Sequence, residues 1–351
     1  MLPTVFYFLF FFTPLRIHLP RVLMFSKFLT KVKAIPARSS DWANRLGPVA
    51  LVGYGCGAHQ SSQMLLNHFY NSPRDCDIYA ELTFHDQAPI ECPPETVFFL
   101  PVLKCGDMSD VDTPTPEEWY LASTECTTDL LEKGYVPVSV GGDGSATLSM
   151  VEAYKRLFPS DEVVVIHFSA HPRVGKVDSP VRVLLEKGLL KGVVSVGNRA
   201  VNSADRKVRK EHKMFYMDMH AIYSKGLFCI RDIRNDYPVF LSIDASVLDP
   251  AFAPGVEDPV PGGLSTRDLL HILNGVRGPK VVGIDVHGYN PKLDITRGDG
   301  LGLTQMALSK VIKESILKAF TISSQTEEEG MTRVQMMQRQ GTISENPYPD
   351  H

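Results

Sequence analysis

Residues 240–250 read FLSIDASVLDP, an apolar run that leads into acidic and small polar residues. The run predicts a buried strand that places Asp244 at its carboxyl end. Because side chains two apart on a strand point to the same side, we expect Ser246 beside Asp244. Two carboxylates at that spacing can bind a divalent cation, whereas an aspartate beside a serine binds one poorly. The segment therefore resembles a metal-binding strand end that lacks one ligand.

Similar apolar runs recur from residue 48 onward and alternate with helical patterns. The strand-like runs are residues 49–52, 96–102, 136–140, 163–168, 193–197, 237–243 and 280–286, and the helical patterns are residues 116–133, 146–158, 181–188 and 303–320. Continuous Val and Ile runs are typical of strands covered on both faces. Their alternation with helices predicts an α/β fold in which a parallel sheet lies between helical layers.

Four of the predicted strands lead into segments rich in polar residues. These segments are GGDGS at residues 141–145, SAHPR at 169–173, DAS at 244–246 and DVHGYNP at 285–291. In open parallel sheets, ligands bind beyond the carboxyl ends of the strands. We therefore expect the functional residues of this chain in these four segments.

Length, charge and cysteine content limit the class of protein. The chain has 351 residues, 44% of them hydrophobic and 22% charged, and its formal net charge is −4. That length suffices for one large α/β domain or two small ones, and so mild a charge gives no support for nucleic-acid or membrane partners. The six cysteines form no C-x-x-C pair, which favours reduced thiols in a cytosol-like compartment.

The chain divides by composition into three parts. Residues 1–45 are an N-terminal extension, and its stretch 15–40 carries basic residues and no acid. We expect this extension to be disordered or over-annotated, or else a targeting segment. Residues 46–322 form one α/β domain, and residues 323–351 form a polar tail that is either solvated or laid along a partner subunit. The expected location is cytoplasmic, or mitochondrial or another organelle if the basic extension is real.

The four polar segments resemble, in order and spacing, the signature segments of the ureohydrolase superfamily, the arginases and agmatinases. The segments LDPAFAPG at residues 248–255 and PGGL at 261–264 also resemble the sequences of family members, and the resemblance extends over residues 48–320. It implies a three-layer α/β/α arginase-like fold whose central, mostly parallel sheet has about eight strands. It also implies a homotrimer. The Arg-acid pair that helps to join the arginase trimer corresponds to Arg267 and Asp268, a possible oligomer contact here.

Active members of that family bind two manganese ions through two histidines and four aspartates. The resemblance places these six ligands, in chain order, at Gly144, Ser169, His171, Arg173, Asp244 and Ser246. Only His171 and Asp244 keep the residue type of a ligand. The positions therefore read as a vestigial metal site.

The resemblance also locates the positions that handle substrate in the family. The proton-shuttle histidine of arginases corresponds to Val177, and the glutamate near the guanidinium end of the site corresponds to Gly288. The acids that help to hold the substrate's amino group correspond to Ala200 and Asn202. None of the four residues found here can perform the family's role at its position, so no catalytic residue is expected.

Charge decides whether the remaining residues could hold metal. Two divalent cations about 3.5 Å apart repel by roughly 19 kcal/mol at an effective dielectric constant of about 20, and several carboxylates must offset that repulsion. Here one aspartate is left, and Arg173 adds a positive charge. We predict that manganese does not bind. We further predict that Arg173 extends into the vacated space and pairs with Asp244, because an isolated buried charge is costly.

Three functions remain open. The first is a metal-free, catalytically inactive arginase-like protein, a pseudoenzyme that acts as a binding, regulatory or structural oligomer toward an unknown small molecule or an enzyme partner. The second is a metal-dependent hydrolase of a guanidino or amidino substrate with a degenerate or single-ion site. That site would use His171 and Asp244, with help from Asp143, His287 or Asp285. The third is a nucleotide-binding module, suggested by the loose fingerprint GYGCGA at residues 53–58.

Some polar residues in these segments have simpler structural explanations. His167 is expected to be a hydrogen-bonded histidine of the core. Asp143 is expected to bind backbone amides of its own loop, and Asp249 to shape the loop that follows the strand.

Overall fold

The structure is a computed structural model that describes residues 49–53, 65, 97–99, 116–226, 236–276 and 280–328. Its strands are β1 (Val49–Gly53), β2 (Val97–Phe99), β3 (Val136–Val140), β4 (Val163–Phe168), β5 (Leu190–Asn198), β6 (Phe215–Asp218), β7 (Val239–Asp244) and β8 (Val281–His287). Its α-helices are α1 (Pro116–Glu132), α2 (Ser145–Leu157), α3 (Pro180–Glu186), α4 (Ser203–Glu211), α5 (Met219–Lys225), α6 (Thr266–Gly275) and α7 (Leu303–Glu328).

The strands form one eight-stranded sheet in the order β2-β1-β3-β8-β7-β4-β5-β6. Every neighbouring pair is parallel. The predicted α/β fold with a parallel sheet of about eight strands is therefore confirmed. The four strands that lead into the polar segments, β3, β8, β7 and β4, are consecutive neighbours at the centre of the sheet. Because all strands run the same way, the four segments lie together at one edge.

The two faces of the central strands differ in polarity. On one face Ile166, Leu241 and Ile284 belong to the main apolar core, which also includes Leu269 of α6 and Leu308 of α7. The alternate residues of the same strands face α2. Side chains on a strand alternate between its faces, so one strand can supply apolar packing to α6 and α7 and polar groups to α2.

Sequence signals account for where several helices begin and end. Helix α1 ends just before Gly134, whose φ of 81° suits a glycine after a helix. Capping boxes start α4, with Asn202 and Asp205, and α6, with Ser265 and Asp268. In each box a side-chain oxygen accepts a backbone N–H that the helix itself leaves without a partner.

The structure adds elements that the sequence patterns did not predict. Helix α4 is mostly charged, and β6 is a four-residue strand at the sheet edge, so neither shows a continuous apolar run. Helix α5 follows β6 directly. Helix α7 continues to Glu328, into the stretch after residue 322 that we predicted as a tail. In the described ranges no helix is both long enough and apolar enough to span a bilayer.

Several predictions concern residues that the structure does not describe. The extension at residues 1–45, residues 54–58 of the nucleotide-binding fingerprint and residues 329–351 lie outside the described ranges. Of the six cysteines the structure describes Cys126, which is buried. The predicted redox state, targeting and tail placement therefore stay predictions.

Candidate functional site

Three of the six predicted ligand positions meet at the ends of β4 and β7. The Ser169 hydroxyl lies 2.9 Å from Asp244 Oδ2 and 3.3 Å from the Ser246 hydroxyl. The backbone N–H of Ser246 donates to Asp244 Oδ1 at 2.9 Å. Asp244, Ser246 and Ser169 therefore converge as the sequence predicts, with hydroxyls at two of the three positions.

Asp244 is a partly buried carboxylate surrounded by hydrogen-bond donors. Burial by itself would raise its pKa, but the nearby His287 imidazole and the hydrogen bonds from Ser246 and Ser169 outweigh that effect and hold the pKa of Asp244 below its usual range. The carboxylate is therefore ionised at neutral pH. Its two oxygens are satisfied by a hydroxyl and a backbone amide of the protein.

Arg173 does not pair with Asp244, so that prediction was wrong. Its guanidinium Nη2 donates to Asp258 Oδ2 at 2.7 Å, and the two side chains are 46% and 64% exposed. Arg173 has a φ of 49°, in the left-handed region. Asp244 already has neutral donors, so burying the guanidinium beside it would add a large desolvation cost for little gain. An exposed pair at the rim of the site avoids that cost.

His171, the retained histidine, also contacts the loop that contains Asp258. Its Nε2 lies 3.0 Å from the Asp258 backbone oxygen, while its backbone N–H donates to Ser169 Oγ at 3.0 Å. The loop after β4 is thus joined to the Asp258 loop by both His171 and Arg173. This histidine is therefore hydrogen-bonded within the protein.

Gly144 and Gly288, two of the positions that changed residue type, sit against other side chains of the site. A Cβ added to Gly144 would lie 2.8 Å from Cε1 of His287 and 3.0 Å from both of its ring nitrogens. A Cβ added to Gly288 would overlap Oδ1 of Asp244. Both glycines have positive φ, 90° and 81°, which disfavours any side chain. The surrounding structure is therefore built for glycine at both positions.

The remaining predicted positions lie at a helix N-terminus, at the surface or in the segment after β5. Asn202 is the N-cap of α4, and its side chain accepts the backbone N–H of Asp205 at 2.8 Å. Val177 is 70% exposed, and Ala200 is partly buried. Arg267 is exposed at the start of α6.

Asp268, the second residue of the possible oligomer contact, belongs to the capping box of α6, where its Oδ2 accepts from the Ser265 hydroxyl at 2.7 Å.

Asp143 and Asp249 bind backbone amides of their own loops, as the sequence predicts. The Asp143 carboxylate accepts the N–H of Ser145. The Asp249 carboxylate accepts the N–H groups of Ala251, Gly262 and Gly263 and so shapes the loop after β7.

A buried polar row lies beneath the site, and sequence reasoning missed it. Adjacent strands bring residues of β3, β8, β7, β4 and β5 into register on the α2 face, in the order Ser139, Asp285, Ser242, His167 and Ser195. All five are buried. The sequence does show one polar residue within each of these otherwise apolar strands. Only the strand order shows that the five residues are neighbours.

Hydrogen bonds connect three residues along this row to helix α2. The Thr147 hydroxyl of α2 donates to Asp285 Oδ2 at 2.7 Å, and Ser242 Oγ lies 3.0 Å from Thr147 Oγ1. His167 Nδ1 lies 3.2 Å from Ser242 Oγ. His167 is thus the hydrogen-bonded core histidine that the sequence predicts.

The buried row favours neutral forms of its ionisable groups. Burial, reinforced by the neighbouring His287, lowers the pKa of His167 to about 4. Burial raises the pKa of Asp285 above its usual value. His287 is stacked against His167 with ring centroids 6.5 Å apart, and its Nε2 lies 3.4 Å from Ser242 Oγ. The row is therefore a structural network linked through Thr147 and Ser242, in which Asp285 Oδ1 and the Ser139 hydroxyl are buried without a hydrogen-bond partner among the described residues.

The residues present do not fit a pair of manganese ions. At the six ligand positions one carboxylate remains, and its oxygens are hydrogen-bonded to Ser169 and Ser246. Hydroxyls, glycine and a guanidinium do not supply the charge that two divalent ions require. In the described part of the chain no group of three or more His, Cys, Asp or Glu side chains is arranged to hold a metal ion.

Comparison with known proteins identifies related sequences. Residues 76–317 match the family model described as "Arginase family". The chain is 32% identical over 194 residues to mitochondrial arginase 1 of Arabidopsis thaliana, across 52% of this chain and 54% of that protein. It thus spans about half the length of the plant arginases that it matches.

Among solved structures, the chain is similar to the T. brucei arginase-like protein. The oxidized form is 73% identical with a TM-score of 0.72, across 86% of this chain and 97% of that chain. A triple mutant described as bound with Mn²⁺ is 74% identical with a TM-score of 0.72, across 86% of this chain and all of that one. In that mutant two serines are changed to aspartate and one arginine to histidine.

Proposed function

The chain belongs to the arginase family, and on that basis we propose that it is a metal-free member that does not hydrolyse arginine or agmatine. The observation that carries the proposal is the set of hydrogen bonds that Asp244 accepts. This carboxylate is hydrogen-bonded by Ser169 and Ser246, at the positions where the family resemblance places further aspartates. A site with one carboxylate cannot offset the mutual repulsion of two divalent ions.

The manganese-bound mutant of the T. brucei protein supports this proposal. Its three changed positions have the same spacing as Ser169, His171 and Ser246. In that relative, the structure described as bound with Mn²⁺ has carboxylates at both serine positions and a histidine between them. We infer that the missing carboxylates at Ser169 and Ser246 are what keeps manganese out of this chain.

The scaffold without metal would act by binding. We propose a homotrimer with a binding, regulatory or structural role, toward a small-molecule ligand or as a partner of an active enzyme, and a cytoplasmic location. Support comes from the intact central sheet and from the network around Asp244, in which serine hydrogen bonds compensate for the lost ligands. A pocket that had merely decayed would leave its carboxylate without partners.

A residual hydrolase with a single-ion site is the second candidate. One observation favours it: this chain has His171 at the position where the T. brucei mutant carries an arginine-to-histidine change. His171 and Asp244 would then be joined by His287 or by another acid of the site. Against it stand the present contacts of His171 with Asp258 and of Asp244 with the two serines.

Metal analysis and an activity assay separate the two candidates. The purified chain is assayed for urea release from arginine and agmatine with added Mn²⁺, beside an active arginase as positive control, and is titrated with Mn²⁺ by calorimetry. We expect no urea and no stoichiometric heat of binding. Tight uptake of one ion per chain would contradict the metal-free proposal, and urea release would favour the hydrolase.

A thermal-shift screen tests what the chain binds. Guanidino compounds and nucleotides are compared, because a ligand that binds only the native state raises the melting temperature. We expect no shift with nucleotides. A shift with nucleotides would favour the nucleotide-binding alternative.

A further inference from the structure

His287 occupies the space into which a side chain at position 144 would project. Strands β3 and β8 are neighbours, and two backbone hydrogen bonds join the segments at their ends. The N–H of Gly141 donates to the Val286 oxygen at 2.8 Å, and the N–H of Gly288 donates to the Gly142 oxygen at 3.0 Å. This pairing sets the imidazole of His287 directly over Gly144. Three ring atoms lie within 3.0 Å of the place where a Cβ would stand.

The imidazole cannot withdraw from Gly144 at little cost. His287 is 6% exposed, its Nε2 lies 3.4 Å from the Ser242 hydroxyl, and its ring is stacked on that of His167. A rotamer change would break these contacts inside a packed region. Real Cβ atoms do not approach other atoms as closely as 2.8 Å, so a side chain at position 144 requires His287 to move.

We infer that His287 is a steric plug that excludes the histidine ligand which the family carries at position 144. The plug acts separately from the lost carboxylates: restoring aspartates at the other positions leaves it in place. The inference rests on the proposed metal-free function. It explains why a histidine introduced at position 144 would not bind manganese while His287 is present. The competing role for His287 is that of a substitute ligand, an imidazole supplied from β8 in place of β3.

A double-mutant cycle without metal tests the plug itself. Gly144→Ala is measured in the unmodified chain and in His287→Ala, with the melting temperature as readout. We expect Gly144→Ala to lower the melting temperature by about 5 °C or more in the unmodified chain, and by less than half as much in His287→Ala. An equal loss in both backgrounds overturns the inference.

Gly134→Ala is the matched control for backbone strain. Gly134 has a φ of 81°, close to the 90° of Gly144, but a Cβ there would meet no atom within 4 Å. Gly134→Ala should therefore lower the melting temperature by the same amount with and without His287. If Gly144→Ala alone fails to fold while the double variant folds, the plug is supported. If neither folds, the same cycle is run with Gly144→Ser under stabilising osmolyte, and absence of coupling there overturns it.

Manganese titration tests the plug against the substitute ligand. The starting variant is Ser169→Asp/Arg173→Asp/Ser246→Asp, to which Gly144→His, His287→Ala or both are added. We expect Gly144→His to bind more manganese only together with His287→Ala, while His287→Ala by itself leaves the affinity of the starting variant within about threefold. A loss of tenfold or more on His287→Ala would identify His287 as a ligand and overturn the plug. Failure of the metal-free proposal would instead show in the unmodified chain.

Discussion

Asp244 shows how a partly buried carboxylate can be stabilised without a metal ion beside it. Its negative charge is stabilised by a serine hydroxyl, a backbone N–H and the nearby imidazole of His287. Charge-assisted hydrogen bonds of this kind are strong in a buried site. The arginine that we expected to pair with Asp244 lies instead at the rim, on Asp258.

Ser169→Asp combined with Ser246→Asp is predicted to create a site for one Mn²⁺. His171 is already present, so two substitutions should suffice where the T. brucei protein carries three. Without metal, three crowded carboxylates should lower the melting temperature. Mn²⁺ at about 100 times its Kd should then stabilise the fold by about 2.7 kcal/mol, and a chelator should reverse the gain.

Calorimetry and thermal unfolding with and without Mn²⁺ measure this effect. The matched control is Ser169→Asn with Ser246→Asn, which adds similar bulk without charge and should bind no manganese. A charged double variant that behaves like this neutral control would show that carboxylates are not the missing element.

His167 is predicted to make stability depend on pH between 6.5 and about 4. Its pKa falls from 6.5 to about 4 on folding, so in this window the unfolded chain binds a proton that the folded chain does not. The free energy of unfolding should therefore fall as the pH falls through the window, by up to about 3 kcal/mol from this group. His167→Asn, which keeps a donor toward Ser242, should flatten that dependence.

Urea unfolding at several pH values checks the slope. His220→Asn, a change at an exposed histidine, should leave the slope unaltered. If His167→Asn and the unmodified chain lose stability in parallel below pH 6.5, the buried imidazole is not the source.

Parallel strands explain how the site and its support are assembled from distant segments. The order β3-β8-β7-β4 gathers four loop segments at one edge and, one layer below, aligns the polar row on the α2 face. Helix α2 closes this row with Thr147. One helix residue thus serves two strands, because its hydroxyl contacts both Asp285 and Ser242.

Thr147→Val is predicted to destabilise the fold by about 1–3 kcal/mol, because it leaves a buried carboxyl and a buried hydroxyl short of a partner at constant side-chain shape. The measurement is urea unfolding at neutral pH. Ser149→Ala on the same helix is the control, since its hydroxyl bonds only to the Ala146 oxygen within the helix, and it should cost less. Equal costs would mean that the link between α2 and the sheet contributes little.

The molecule as a whole has the parallel sheet of an arginase-family protein, while in the described part of the chain no group of three or more His, Cys, Asp or Glu side chains is arranged to hold a metal ion. The fold and the site can diverge in this way because they depend on different residues. Apolar residues between the sheet and α6 and α7 form the core, whereas the ligand positions lie at the carboxyl ends of the strands and in the segments just beyond them. Loop residues can change without loss of the core contacts.

Arg267→Glu is predicted to weaken a homotrimer without unfolding its subunits. Arg267 is exposed on α6, so reversing its charge should disturb a partner contact and little else. Sedimentation equilibrium should show trimers for the unmodified chain and smaller species for the variant. Asp268→Ala is the contrast, since it removes the acidic partner of Ser265 in the capping box of α6 and should cost about 1 kcal/mol of stability. If the unmodified chain is monomeric, the proposed homotrimer is contradicted.

Local patterns were sufficient for the sheet and for the residue types of the site. Val and Ile runs predicted seven strands close to their observed bounds, and the GGDGS, SAHPR, DAS and DVHGYNP segments named the loops that meet. Strand β6 and helices α4 and α5 were not predicted, because an edge strand and a charged surface helix need few apolar residues.

Residue identity along the chain predicts by itself which of the family's ligands are missing, since glycine, serine and arginine cannot replace histidine and aspartate whatever the fold. The partners of the remaining groups depended on contacts between segments far apart in the chain. Arg173 lies on Asp258 instead of Asp244, and His287 lies over Gly144, because strand order and backbone angles place those atoms within reach. Distance and burial are properties of the folded chain, and linear spacing across crossovers does not encode them.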